Sequence, residues 1–299
     1  MAVTQNYVSR FVRAGKYRTH YIEWGDGEPV VMVHGGGPGA SGEFAWRNNI
    51  GAIGQHGRGI GIDLIGYGLT DKPTDIVYSY QAMVNHLADF IDALCLEQVN
   101  LTGNSMGAYV IAKYALDHPE RVKKLLLVGS GSIATAMGLD MGMTPGLQRL
   151  VSYDGTKESL RGFLVGLMRH PENITEEQLD KRYEQAQLPG VMEAQQSFLN
   201  HFRRQLKEDP NQAQLFDIRN RLPRLTIPIR FVWGQHDVFA SPELAEKLRE
   251  MLPNVEFISF DDSGHVVQND EPERYNELAL EFFFNVAGKN TTGKRAAGD

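Results

Sequence analysis

Short apolar runs alternate with longer helix-like segments over the first half of the sequence. The runs are typical of strands: THYIEW (19–24), VVMVH (30–34), GIGID (59–63), VNLTG (99–103) and KKLLLVG (123–129). Two segments with apolar residues at helical spacing, 80–94 and 106–119, lie between the last three runs. Continuous apolar strands separated by helices are typical of a parallel sheet that is covered on both faces. The pattern therefore predicts the α/β class.

The alternation stops near residue 132 and resumes near residue 221. The segment between these points has no strand-like run and is interrupted by prolines, whereas strand-like runs return at 227–234 and 255–260. A helical block inserted into one sheet is best interpreted as a lid over the carboxyl ends of the strands, where α/β sheets bind ligands. We predict a core of residues 1–131 and 221–287, a helical lid of residues 132–220 and a disordered tail of residues 288–299.

The charge balance and the hydropathy pattern exclude several classes of protein. Lys and Arg number 30 against 37 Asp and Glu, a net charge of −7, whereas a nucleic-acid-binding domain needs a basic surface. No apolar run reaches the 18 or so residues of a membrane span. The N-terminal region lacks the apolar segment of a secretory signal. We therefore expect a cytoplasmic protein without a nucleic-acid or membrane partner.

The chain has one cysteine, Cys95. A single thiol forms neither an intrachain disulfide nor a multi-thiolate metal site, and it fits a reducing compartment. Cys95 lies in the apolar stretch 90–96, so we expect it to be buried like a small hydrophobic side chain. No cluster of His, Asp or Glu has the spacing of metal ligands, and we expect no metal and no cofactor.

A nucleophile motif follows the fourth strand-like run. The sequence GNSMG at 103–107 matches G-x-S-x-G, in which the serine occupies a strained turn and the glycines let strand and helix pass closely. The motif lies between a predicted strand and a predicted helix, as this turn requires. Ser105 is therefore the candidate nucleophile.

A serine nucleophile needs a base, and the base needs a carboxylate to orient it. In this architecture they follow in the order Ser, Asp or Glu, His. Of the nine histidines, only His265 lies after the last predicted strand, and Asp237 follows the strand before it. Three other acids fit less well, because they precede the serine or lie in helical or polar stretches: Asp63, which we interpret as a turn residue, Glu243 and Asp217. We predict a triad of Ser105, His265 and Asp237.

A glycine run, HGGGPG at 34–39, follows the second strand-like run. Glycines after a strand let backbone N–H groups approach an oxyanion without obstruction from side chains. We expect the N–H groups of Gly36 and Met106 to form the oxyanion hole. The alternative, a phosphate-binding loop, would need a terminal Gly-Lys-Ser/Thr, which is absent.

Four runs of residues resemble the meta-cleavage product hydrolases, α/β-hydrolases that cut a carbon–carbon bond in ring-opened aromatic compounds. They are HGGGPGA (34–40), WRN (46–48), DLIGYG (63–68) and GNSMG (103–107), and the similarity extends from about residue 7 to 286. The resemblance implies the α/β-hydrolase fold and a substrate of the 2-hydroxy-6-oxohexa-2,4-dienoate type. In the family's chemistry the dienol ketonises, the nucleophilic serine, here Ser105, attacks the distant carbonyl, and the departing carbon leaves as an enolate.

The resemblance also implies a lid arginine that binds the substrate carboxylate, and Arg182 in TEEQLDKRY (175–183) matches it. Thr175 and Gln178 have the spacing of a capping box, and Arg182 falls on the apolar face of the predicted helix with Leu179. An arginine on that face points to the interior; an arginine that reaches a surface carboxylate is the alternative. The residues that we expect to contact substrate are Gly37, Asn104, Arg182 and Val266.

Two positions depart from the family's pattern. Ala45 stands where the family usually has asparagine, and Val266 where it usually has tryptophan. Both changes favour an alternative, a carboxylesterase for a small aromatic or carboxylate-bearing ester with the same triad. A non-catalytic ligand receptor and a cofactor-free oxygenase are further alternatives, and the intact triad and glycine run argue against the receptor. The expected partners are a small-molecule substrate and, in a homodimer or higher homo-oligomer, further copies of the chain.

Overall fold

The computed structural model describes residues 7–208 and 210–286. Within them, eight strands form one sheet in the order β1-β2-β4-β3-β5-β6-β7-β8. The strands are β1 (Val8–Ala14), β2 (Tyr17–Gly25), β3 (Pro29–Val33), β4 (Arg58–Ile62), β5 (Val99–Asn104), β6 (Val122–Val128), β7 (Ile229–Gly234) and β8 (Glu256–Phe260). Strand β2 is antiparallel to β1 and β4, and all other neighbours are parallel. The carboxyl ends of β3 to β8 therefore meet at one edge of the sheet.

Helices connect the strands and cover the sheet. They are α1 (Gly42–Trp46), α2 (Ile50–Gly54), α3 (Tyr80–Ala93), α4 (Met106–Asp117), α5 (Gly131–Ala136), α6 (Pro145–Val151), α7 (Lys157–Leu167), α8 (Glu176–Ala186), α9 (Val191–Lys207), α10 (Pro210–Phe216), α11 (Pro242–Met251), α12 (Val267–Asp270) and α13 (Pro272–Phe284). Single 3₁₀ turns lie at Pro119–Arg121, Pro171–Asn173 and Leu222–Arg224. No helix among the described residues has the length and apolar character needed to cross a membrane.

Two apolar cores lie on opposite faces of the sheet. Successive side chains of a strand alternate between faces, and accordingly Val31 belongs to one core and Met32 to the other. Helices α3, α4 and α11 cover the first face, where Leu87 is fully buried. Helices α2 and α13 cover the second face, where Tyr275 is buried. The predicted α/β class is confirmed.

The strands predicted from apolar runs are all present, and their ends lie within two residues of the expected positions. Strand β1 has no counterpart among the predictions. It is an edge strand that pairs only with β2 and leaves most of its side chains exposed. A strand with no buried face needs no apolar run, so the hydrophobic pattern did not mark it.

Our expectation that Cys95 is buried is wrong, because its side chain is exposed. Helix α3 ends at Ala93, and Cys95 has a positive φ of 54° in the turn that follows. The apolar neighbours from which we placed the thiol therefore do not set its direction in this turn. The predicted tail, residues 288–299, lies outside the described residues, as does residue 287 at the end of the predicted core.

The described chain between β6 and β7 contains helices and no strand. Helix α5 spans residue 132, where we place the start of the lid, and its Ile133 is part of the first core. Farther along, Leu160, Phe163 and Leu179 form a third apolar cluster, together with Phe239 from the loop after β7. This helical segment therefore packs over the carboxyl edge of the sheet. The division into a core and a lid stays a prediction.

Candidate active site

Ser105 occupies the tight turn between β5 and α4. Its backbone angles, φ 54° and ψ −115°, lie in a region that residues other than glycine rarely adopt. A Cβ on Gly103 would lie 2.7 Å from the carbonyl oxygen of Gly107, and one on Gly107 would lie 2.4 Å from that of Val33. Both positions therefore require glycine for the strand and the helix to pass this closely. The G-x-S-x-G spacing follows from that packing.

His265 and Asp237 form a buried pair on the loops that follow β8 and β7. His265 Nδ1 lies 2.8 Å from Asp237 Oδ2. A carboxylate only accepts hydrogen bonds, so Nδ1 carries the proton. The other Asp237 oxygen accepts the backbone N–H groups of Phe239 and Ala240 at 2.7 and 2.8 Å. Asp237 therefore holds the imidazole in the tautomer whose Nε2 is free to accept a proton.

The imidazole of His265 is also fixed by its surroundings. The ring of Phe239 stacks on it with centroids 5.0 Å apart. The Asn104 amide, which we expect at the substrate, donates to the His265 carbonyl at 3.0 Å and also lines the cavity described below. Among the described residues no hydrogen bond joins Ser105 Oγ to His265. Such bonds are often long before substrate binds.

The glycine run after β3 lies against the start of α4. A Cβ on Gly36 would be 3.4 Å from Met106 Sδ. The His34 ring holds the run in place, since Nδ1 donates to the Gly35 carbonyl at 2.7 Å and Nε2 accepts from Leu64 N–H at 3.0 Å. Burial lowers the pKa of His34 and so favours the neutral ring that this bonding requires. Gly36 and Met106, whose N–H groups we expect to bind an oxyanion, are therefore neighbours.

Asp63 has a larger structural role than the turn residue we expected. It is fully buried, accepts the Gly42 N–H at 2.7 Å, and lies 2.7 Å from His20 Nδ1. Gly42 begins helix α1 three residues after the glycine run ends at Gly39. Asp63 therefore anchors the far end of this run, while His34 anchors its start.

A cavity of about 350 Å³ lies over this site. Most of its other lining side chains are apolar, and eight of the nine predicted site residues line it: Gly36, Gly37, Asn104, Ser105, Met106, Arg182, His265 and Val266. The ninth, Asp237, is buried and bonds to His265 instead. A mainly apolar cavity of this size suits a small organic molecule.

Arg182 places a buried positive charge in this cavity. Helix α8 begins with the predicted capping box of Thr175 and Gln178, which is confirmed, and Arg182 is only 4% exposed. Its Nε donates to the Pro38 carbonyl at 2.9 Å, and its guanidinium lies 4.1 Å from the centroid of the Phe44 ring. Burial lowers the pKa of Arg182 to about 9, which still leaves it charged at neutral pH. No carboxylate of the described residues pairs with it.

A second arginine, Arg47, is partly buried near Arg182 and adds to this positive charge. Its Nη1 donates to the Phe44 carbonyl at 2.6 Å and its Nη2 to Gln178 Oε1 at 3.1 Å. Burial lowers the pKa of Arg47 to about 10, and its charge contributes to the lowered pKa of Arg182. Arg47 does not itself line the cavity, but its charge adds to the positive potential around Arg182, which makes this end of the cavity attractive to an anion. We assigned Arg47 no role from the sequence beyond its place in the WRN motif.

Two further polar side chains line the cavity, and we assigned neither of them a role from the sequence. The Gln268 carboxamide is fully buried and has no hydrogen-bond partner among the described residues. An unpaired buried amide is costly, so this group is available to a ligand. The Tyr67 hydroxyl lies 3.5 Å from Met106 Sδ, a weak acceptor. The only signal for Gln268 is its position three residues after His265.

The positions that depart from the family pattern lie in the cavity wall. The two departures from the family pattern, Ala45 and Val266, both line the cavity and are 8% and 9% exposed.

Across the described part of the chain, no group of three or more His, Cys, Asp or Glu is arranged to hold a metal ion.

Comparison with known proteins places this geometry in a family. A model of the alpha/beta hydrolase fold matches residues 28–272. The 2-hydroxy-6-oxo-6-(2'-aminophenyl)hexa-2,4-dienoic acid hydrolase of Metapseudomonas resinovorans is 31% identical over 92% of this chain and 91% of that protein. The 2-hydroxy-6-oxo-2,4-heptadienoate hydrolase of Pseudomonas putida is 30% identical over 92% and 96%. A solved serine hydrolase involved in carbazole degradation is 31% identical, covers 94% of this chain and 100% of its own, and has a TM-score of 0.78. The chain therefore belongs to the alpha/beta hydrolase fold family, and it is a hydrolase.

Proposed function

We propose that Ser105, His265 and Asp237 cleave the bond between carbons 5 and 6 of a 2-hydroxy-6-oxohexa-2,4-dienoate that carries a substituent at carbon 6. The observation that carries this proposal is the unneutralised guanidinium of Arg182 in the cavity that Ser105 and His265 line. A buried arginine without an acidic partner selects a carboxylate, which it can bind through two parallel hydrogen bonds. The relatives named as dienoate hydrolases support this substrate class.

The strand order gives the substrate an orientation. Strands β3 and β6 flank β5 on opposite sides. Arg182 bonds to Pro38 in the loop after β3, whereas helix α5 follows β6. A substrate lying across Ser105 would then have its carboxylate on the β3 side. Its carbon-6 substituent would lie on the β6 side.

The residues present are sufficient for the chemistry. The dienol first ketonises, moving its hydroxyl proton to carbon 5. Ser105 Oγ then bonds to carbon 6 while His265 Nε2 takes the serine proton, and the N–H groups of Gly36 and Met106 stabilise the oxyanion. Collapse breaks the bond between carbons 5 and 6, and the electron pair is delocalised onto the carbon-2 oxygen, which His265 protonates. His265 then takes a proton from water while the water oxygen bonds to the acyl carbon, and His265 returns the proton to Ser105 Oγ as the bond to the serine breaks and the carboxylic acid is released.

A carboxylesterase with the same triad is the second candidate. Ala45 and Val266 make part of the cavity wall apolar. An apolar wall offers no hydrogen bond to a dienoate, and it suits the alkyl or aryl group of a simple ester. In that case Arg182 would bind the carboxylate of an acidic ester or hold the helical segment in place.

The two candidates are separated by comparing substrates. We expect kcat/KM for 2-hydroxy-6-oxo-6-phenylhexa-2,4-dienoate to exceed that for 4-nitrophenyl acetate. Chromatography should then recover benzoate and 2-hydroxypenta-2,4-dienoate in equal amounts. Turnover of the ester without cleavage of the dienoate would replace this proposal with the carboxylesterase.

We further propose a cytoplasmic enzyme whose partner is a small-molecule substrate, without nucleic acid, membrane or cofactor. The net charge of −7 and the single cysteine support this proposal. For the assembly we propose a homodimer or higher homo-oligomer, and light scattering on the purified protein tests it against a monomer.

A further inference from the structure

Two hydroxyl groups meet on the wall of the cavity that α5 contributes. The Tyr80 hydroxyl, at the start of α3, lies 2.6 Å from Ser132 Oγ in the first turn of α5. Both side chains line the cavity, as does Thr135 one helical turn beyond Ser132. Because α5 follows β6, this pair lies on the opposite side of Ser105 from the Arg182–Pro38 contact.

The Tyr80 side chain is held rigidly. Its ring centroid lies 4.5 Å from that of Tyr109, 5.1 Å from that of Phe198 and 5.2 Å from that of Phe216. The residue is 5% exposed, and burial raises the pKa of Tyr80 well above its usual range. The phenol is therefore neutral and fixed in direction, which lowers the entropy cost of binding a ligand group there.

The pair retains hydrogen-bonding capacity. Each hydroxyl has one donor and two acceptor sites, so a single bond between them leaves one donor and three acceptor sites. Several neighbouring side chains of the wall are apolar, Leu139, Met141 and Phe202 among them. A ligand atom at this position meets two polar partners among apolar neighbours, which is an arrangement that gives specificity.

The two hydroxyls bring no charge to this part of the cavity. Of the described residues that line the cavity, Asp140 is the only acid, and it is exposed, with its carboxylate accepting the Gly142 N–H at 2.9 Å. Neutral hydroxyls offer no ion pair to an anionic substituent, and their donor and acceptor sites suit a neutral hydroxyl or amino group.

We propose that Tyr80 and Ser132 select a substrate whose carbon-6 group is an aromatic ring bearing a neutral hydroxyl or amino substituent. The acid released from Ser105 would then be a hydroxybenzoate or an aminobenzoate. The assignment of this ring to the acyl side rests on the proposed function. Recognition of the substituent by the two hydroxyls rests on their own geometry.

The test uses the 4-nitrophenyl esters of benzoic acid and of the three hydroxybenzoic acids, which place the same aryl group on Ser105. We measure kcat/KM of the wild type and of the variants Tyr80→Phe and Ser132→Ala on all four esters. For each protein, the kcat/KM of each hydroxybenzoate ester is divided by the kcat/KM of the benzoate ester. Loss of one neutral hydrogen bond should lower this ratio about 3- to 10-fold in each variant for at least one ring position. Tyr109→Phe is the matched control, because its hydroxyl bonds to the Phe216 carbonyl and does not line the cavity.

A ratio that changes less than twofold in both variants would overturn the proposal, and so would an equal loss on all four esters, because that pattern indicates a structural role. A ratio that falls equally in Tyr109→Phe would overturn it as well. If the esters are cleaved and the dienoates are not, the carbon–carbon activity fails, and the ester ratios still decide the role of Tyr80 and Ser132.

Discussion

Arg182 Nε donates to the carbonyl of Pro38 at 2.9 Å, which joins the helical segment directly to the glycine run. Pro38 lies two residues after Gly36, so this one bond sets the position of the guanidinium relative to the oxyanion site. It uses only Nε and leaves both Nη groups for a carboxylate. The relationship therefore links the binding of the substrate's acid group to the position of its reacting carbonyl.

Removing this cation should discriminate between acidic and neutral substrates. A charge-assisted bond contributes roughly 1.5–3 kcal/mol, so Arg182→Ala should lower kcat/KM about 10- to 150-fold for mono-4-nitrophenyl adipate. The rate on 4-nitrophenyl hexanoate, which lacks the carboxylate, should stay nearly unchanged. Arg161→Ala is the control, because Arg161 is exposed and pairs with Glu176. An equal loss on both esters would show that Arg182 only holds the helical segment together.

His86 should make folding stability depend on pH. Burial lowers the pKa of His86 to about 4, and its ring accepts the Ile65 N–H at 3.2 Å. Between pH 6.5 and 4 the unfolded chain binds a proton that the native state does not. This contribution to stability is therefore complete above pH 6.5 and is lost as the pH falls, by roughly 3 kcal/mol.

The measurement is urea unfolding of the wild type and His86→Gln at pH 7, 5.5 and 4.5. The variant loses hydrogen bonds at every pH, so only the pH dependence of the free energy of unfolding is compared. We expect a shallower decline in the variant. Parallel curves for the two proteins would contradict the buried neutral imidazole.

The tight turn at Ser105 should tolerate no side chain at Gly107. A Cβ there would lie 2.4 Å from the Val33 carbonyl oxygen, so Gly107→Ala should cost about 1–3 kcal/mol or more. Gly162 lies in the interior of α7, where an added Cβ would meet no neighbouring atom within 4 Å. Gly162→Ala should therefore stabilise the protein by about 0.5–1 kcal/mol. Calorimetric melting temperatures check both changes, and similar melting temperatures for the two variants would contradict the packing described.

The strands that could be predicted from the sequence are those that helices cover on both faces of the sheet. Strands β3 to β6 have continuous apolar runs because helices cover both sides of the sheet. Strand β1 lacks such a run because it lies at an exposed edge. Cys95 was misplaced because apolar neighbours in the sequence do not set the direction of a side chain in the turn after a helix.

The predictable part of the site consists of residues that the backbone itself constrains. Ser105 needs flanking glycines, and His265 and Asp237 follow strands in a fixed order along the chain. Arg182 was found from its place on the apolar face of a helix and from the family resemblance. Residues in unrelated parts of the sequence, brought together only by the fold, left no local pattern that assigned them a role: Arg47, Tyr80, Ser132 and Gln268.

The most direct test of the proposed chemistry is turnover of 2-hydroxy-6-oxo-6-phenylhexa-2,4-dienoate by wild type and Ser105→Ala. The wild type should release benzoate, and the variant should bind the dienoate with a similar Kd but lose at least about 10³-fold in kcat, because only the oxyanion hole and binding contacts remain. A variant whose kcat stays within tenfold of the wild type would remove Ser105 as the nucleophile.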